Sequence, residues 1–115
     1  MNYEYEINRL KKSKFRREIG LNEDEIEIIN EKGMEKIKEE AFEILARKIR
    51  VKLKNDGRQT PWRGHPVFPA MHATATCCRK CIKKWHNLTE EKKLTDEEIG
   101  VFSNLIFVWM SKTIH

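Results

Sequence analysis

Twice this chain writes the same six-residue signal. Leu21-Asn22-Glu23-Asp24-Glu25-Ile26 and Leu94-Thr95-Asp96-Glu97-Glu98-Ile99 match each other role for role. In each, a short polar side chain (Asn22, Thr95) can accept hydrogen bonds from first-turn N–H groups. A glutamate three residues on can reach back, and a flanking apolar pair can staple the entering chain. The acidic first turn also suits the positive end of a helix dipole. Two marked helix starts, with no convincing pair of strands anywhere, commit the chain to an all-α fold.

The rest of the chain fills in around those starts. The first helix runs to about Lys32, where Gly33 suits a left-handed C-terminal position. A longer helix then spans Met34 to about Leu53, with Ile37, Ala41, Ile44, Leu45 and Ile49 on one apolar face. Its last turns carry Arg47, Lys48, Arg50, Lys52 and Lys54, which follow the helix dipole and need no ligand to explain them. A central helix begins between Pro66 and Pro69, because proline is tolerated in a first turn, and continues to Asn87. Phe68, Met71, Ala75, Cys78, Ile82 and Trp85 form its buried stripe. The last helix, Asp96 to about Lys112, is apolar nearly all round, so it is either buried on most sides or pairs with a second copy in a homo-oligomer. At the N-terminus, Tyr3, Tyr5 and Ile7 alternate with polar residues. That predicts an extended start, followed by a short basic helix through Leu10 and Phe15 that Gly20 ends. The expectation is one domain over 1–115: a small irregular bundle of four main helices, with a structured polar loop at 55–64 before the central helix.

A chain of 115 residues buries enough surface to fold without staples, and its 39% hydrophobic content is too high for a disordered one. No apolar run approaches ~20 residues, so no membrane span is expected. The first residues lack the apolar core and cleavage site of a secretory signal, and a cytoplasmic setting is expected.

Chemistry concentrates in residues 55–86. That stretch holds all three cysteines and three of the four histidines. The cysteines are odd in number and clustered within five residues, which is no disulfide framework. In a reducing compartment they are thiols, metal ligands or redox groups. Paired thiolates with imidazole select zinc. At about 100° per residue, one continuous helix places Cys77 and Cys81 about 40° apart and Cys78 and Cys81 about 60° apart, so either pair can share an ion. His72 lies about 180° from Cys81 on such a helix. The candidate metal ligands are therefore Cys77, Cys78 and Cys81, with His86 if the helix ends at Trp85 and the chain turns back. A further ligand could come from His115 or Asp56. The bland alternative is that these cysteines are small core residues. Redox cycling ranks lower, because cycling dithiols sit at a helix start and one continuous helix would hold these inside it.

The preceding loop offers a second site. Asp56, Arg58, Gln59, Thr60 and Arg63, with His65 and His72, would make a basic, hydrogen-bonding cluster at a helix N-terminus, where free N–H groups favour an anion. The equally simple alternative is a loop that satisfies only its own backbone. Trp62 either plugs the loop onto the core or offers a stacking surface. The net charge of +5 permits a phosphate-bearing partner.

The strings Asn55-Asp56-Gly57-Arg58-Gln59-Thr60-Pro61, Arg63-Gly64-His65-Pro66-Val67-Phe68 and His72-Ala73-Thr74-Ala75-Thr76-Cys77-Cys78-Arg79, with Cys81, Trp85 and His86, resemble a family of small single-domain bacterial and phage proteins of unknown function. The resemblance implies that this loop and helix are the family's distinguishing feature, and it brings no activity with it. Lys80 departs from the small residue expected there, which favours an exposed position. Two functions follow as expectations. One is a binding module that contacts nucleic acid or another phosphate-bearing ligand through residues 55–72, stabilised by zinc or not. The other is a metal-dependent hydrolase or nuclease built on His65, His72, Asp56 and Arg58.

Overall fold

The computed structural model describes residues 1–114. Among these there are seven helices and no strand: α1 (Tyr3–Leu10), α2 (Lys14–Arg17), α3 (Glu23–Lys32), α4 (Met34–Ile49), α5 (Val67–Ala73), α6 (Arg79–His86) and α7 (Asp96–Thr113). The all-α expectation holds. No helix among the described residues is long and apolar enough to cross a membrane.

Both signalled starts form complete capping boxes. Glu25 N–H donates to Asn22 Oδ1 and Asn22 N–H to Glu25 Oε1, each at 2.9 Å. Glu98 N–H and Thr95 N–H repeat the exchange at 3.1 and 2.9 Å. Gly33 takes the positive φ of 84° that the α3–α4 corner requires. The five residues predicted to make the apolar face of α4 are all buried. That face meets α7, and the α4–α7 pair is the most extensive helix contact in the molecule. Ile99, Phe102, Leu105, Ile106, Trp109 and Met110 of α7 are buried within the single chain, which accounts for its apolar composition. α5 packs across both α4 and α7, while α1 rests on α7, α3 on α4 and α2 on α5.

Three expectations are corrected. The N-terminal residues are helical: Asn2 caps α1 through Tyr5 N–H at 3.0 Å, and Ile7 and Leu10, three apart, reach the core. The alternation of Tyr3, Tyr5 and Ile7 was a coincidence of period, since Tyr5 points to solvent. α4 stops at Ile49, short of Leu53. Most consequentially, the central helix is two helices. Residues 74–78 break it, with Ala75 in the left-handed region at φ 57°. Here Thr74 Oγ1 donates to Ala70 O at 2.7 Å and Thr76 N–H to Met71 O at 2.8 Å, so threonine hydroxyl and backbone close α5 off locally. Apolar burial continues through the break, since Ala73, Ala75, Cys77 and Cys78 all face the core.

Candidate metal centre

The break determines where the cysteines go. Cys78 becomes the N-cap of α6, in extended conformation, and its Sγ accepts from Cys81 N–H at 3.4 Å. Cys77 sits one residue earlier, on the loop, and Cys81 one turn into the helix. The three Sγ atoms lie within 4.8 Å of one another. All three are free thiols; Cys77 and Cys78 are buried and Cys81 is half-buried.

Four side chains hold this arrangement, three of them far off in sequence. Asp56 caps the first turn of α6: Oδ1 accepts from Arg79 N–H at 2.9 Å and Oδ2 from Lys80 N–H at 3.2 Å. Thr60 Oγ1 donates to Cys77 O at 2.8 Å and fixes the approach to the helix. Arg79 is fully buried and donates to the carbonyls of Arg50 and Lys92 at 2.9 Å each and of Thr89 at 2.5 Å, tying α6 to the end of α4 and to the loop before α7. Arg16 of α2 completes the site. It is buried, donates to His72 O at 2.5 Å, and places its other amino group 3.5 Å from Cys81 Sγ. Its guanidinium lies 5.3 Å from the centroid of the Trp85 ring, and that of Arg9 lies 5.4 Å from the same centroid.

The electrostatics single out Cys81. Hydrogen bonds from the Cys77 and Cys78 thiols, together with the Arg16 guanidinium, hold it well below the ordinary thiol range. Cys77 is pushed up, first by its bond to Cys78, then by Cys81 and by burial. Cys78 is drawn down by Cys77, but its bond to Cys81 and its burial outweigh that and leave it raised. These directions favour Cys81 over its two neighbours as the thiolate of the cluster.

The predicted histidine ligands do not join the sulfurs. His86 Nε2 donates to Thr74 O at 2.8 Å, and its Nδ1 is buried without a partner. The helix does not end at Trp85 as that role required: His86 is the last residue of α6, and its ring bonds the helix break. His72 Nε2 donates to the carbonyls of Thr60 and Pro61 at 3.2 Å each, and its ring stacks on Trp62 at 3.7 Å. Burial pushes both imidazoles down, so they stand neutral. His115 lies outside the described residues.

The loop cluster does not converge on a ligand. Gln59 accepts from Gly57 N–H at 2.8 Å and donates to Asp56 Oδ1 at 3.0 Å. Arg63 donates to Gly20 O at 3.1 Å and to the buried Glu25 at 2.6 Å. His65 pairs with Glu40 at 2.8 Å, and that bond, with help from Lys32, keeps the Glu40 carboxyl below its usual range. Arg58 is exposed. Asp56, Arg58, His65 and His72 thus face four different neighbourhoods. Trp62 covers His72, with Phe15 set edge-on to it at 5.7 Å.

Arg16 and Arg79 are the residues that sequence reading missed. Arg16 stands among Lys11, Lys12, Lys14 and Arg17, and Arg79 beside Lys80, so charge alone gave them no distinction from solvated neighbours.

A family model described as "Domain of unknown function (DUF4186)" matches residues 4–111. No solved structure matches the chain.

Proposed function

We propose that this chain, which belongs to that family of unknown function, is a small helical binding module whose Cys77, Cys78 and Cys81 hold one soft metal ion, zinc first. The observation that carries the reading is the three-sulfur cluster, with every Sγ within 4.8 Å of the others. Thiolates around zinc at about 2.3 Å stand roughly 3.8 Å apart, so small side-chain rotations close the site. Three thiolates are soft donors, which favours zinc over magnesium or calcium. Three thiolates on a divalent ion leave one net negative charge, and the Arg16 guanidinium beside Cys81 offsets it. Cys77 supplies the third sulfur, and His86, the histidine expected beside them, bonds Thr74 O.

The test is cobalt substitution. Reduced, metal-free protein titrated with Co2+ should develop thiolate-to-cobalt absorption that saturates at one equivalent and is displaced by zinc. Cys81→Ser should weaken that band and lower the affinity by about tenfold or more. Absence of any thiolate band in the unmodified protein would sink the reading.

Contact with a phosphate-bearing partner, nucleic acid included, is the second reading. What supports it is the solvent face of α6, where Lys80, Lys83 and Lys84 are exposed at helical spacing and no acidic residue stands in the first turn. Affinity for short nucleic acids that does not weaken with added salt would count against it. A hydrolase built on His65, His72, Asp56 and Arg58 has no supporting geometry.

A further inference from the structure

We infer that the same sulfurs, when metal-free, are a thiol–disulfide exchange site in which Cys81 attacks a small disulfide and Cys78 resolves it. This does not depend on the metal reading; it uses the cluster in its empty state. The ground is the helix break. Cys78 caps the N-terminus of α6 and Cys81 stands in its first turn, so the Cys78-Arg79-Lys80-Cys81 segment occupies the helix start that exchange dithiols require. The two sulfurs are already within 4.8 Å. Three further features set the roles. Cys81 is the least buried residue of the three, whereas Cys77 and Cys78 are buried. The Arg16 guanidinium faces Cys81 Sγ at 3.5 Å and stabilises it as the attacking thiolate. The Cys81 N–H already donates to Cys78 Sγ, which orients the resolving sulfur toward the first turn.

The Cys81 thiolate attacks one sulfur of R–S–S–R; the Cys81–S bond forms, the S–S bond breaks, and one RS⁻ leaves. That RS⁻ takes the Cys78 proton and becomes RSH. The Cys78 thiolate then attacks Cys81 Sγ, the Cys78–Cys81 bond forms, and the second RS⁻ leaves, taking up the proton that Cys81 had released. The protein dithiol is oxidised by two electrons and the small disulfide is reduced to two thiols.

The cleavage pattern makes the test sharp. Trypsin cuts after Arg79 and Lys80, so a Cys78–Cys81 disulfide joins two separate peptides, one ending at Arg79 and the other Cys81-Ile82-Lys83. Metal-stripped protein is incubated with oxidised glutathione, then analysed by intact mass and non-reducing peptide mapping. The expected result is loss of two hydrogens, no retained glutathione, and that linked pair, all reversed by dithiothreitol. Cys77→Ser removes one of the thiols bonded to Cys81, so it should form the same linked pair more slowly. Cys78→Ser keeps a good N-cap, so α6 should persist and glutathione should remain on Cys81. Cys81→Ser should react about tenfold more slowly or worse. A stable glutathione adduct on the unmodified protein, or a linked pair that survives Cys78→Ser, overturns the proposal. A disulfide in a protein that binds no cobalt upholds exchange and removes the metal reading; cobalt binding without any disulfide does the reverse.

Discussion

Arg79 shows most plainly what single side chains do here. A guanidinium fully removed from solvent, with no carboxylate bonded to it, is an expensive residue, and its return is the satisfaction of carbonyls at Arg50, Thr89 and Lys92. Arg79→Met would remove the Arg79 donor from the Thr89 and Lys92 carbonyls, while Arg50 O would keep Leu94 N–H. It should lower unfolding stability by about 3 kcal/mol or more, measured by denaturant titration, and a loss under about 1 kcal/mol would contradict the tie described for it. The two buried imidazoles give a pH-dependent counterpart. Burial depresses His72 and His86 below the unfolded value near 6.5, so below that pH the unfolded chain binds more protons than the folded one. Their contribution is full above about pH 6.5 and is lost as acid is added. Metal-free protein should melt at progressively lower temperature from about pH 7 to about pH 5, and His86→Gln should flatten that slope. An unchanged slope in the variant would show that His86 is charged in the folded state or does not titrate there.

At the scale of elements, legibility followed locality. Capping boxes at Asn22–Glu25 and Thr95–Glu98 involve residues three apart, and both were readable from the strings alone. The α5–α6 break was not. Phe68, Met71, Ala75, Cys78 and Ile82 keep a helical period straight through it, because the residues are packed on both sides of the break and period alone cannot register a change of direction. What makes the break tolerable is Asp56, which supplies a cap from 23 residues away in sequence. The three cysteines that residues 55–86 offered do converge, while the geometry around them depended on partners that only the folded chain brings near. The loop residues Asp56, Gln59 and Thr60 serve the cysteines as scaffold, where the sequence had suggested a ligand. Asp56→Ala should cost about 1–2 kcal/mol through the lost cap and should also weaken cobalt binding, because Cys78 and Cys81 sit on the turn it holds. Asp56→Asn should retain most of both. If Asp56→Ala left metal affinity untouched, the capping of α6 would be irrelevant to the sulfur cluster.

For the whole molecule, the α4–α7 pair forms the fixed frame, and the cysteine segment is tied to it by side chains from α2 and the 55–64 loop and by the Arg50 carbonyl at the end of α4. A metal at the sulfurs would tie together residues 77–81, the turn those segments pack against, and binding it should add to the stability of the folded state. The most direct measurement is elemental analysis of protein purified without a metal-affinity tag, beside Cys77→Ser, Cys81→Ser and His86→Gln, with thermal unfolding of each. A metal centre at the three sulfurs predicts about one equivalent of zinc in the unmodified protein and in His86→Gln, and little zinc with a lower unfolding temperature in both cysteine variants. An unmodified protein without metal, or a Cys81→Ser variant that keeps its full complement, would contradict it.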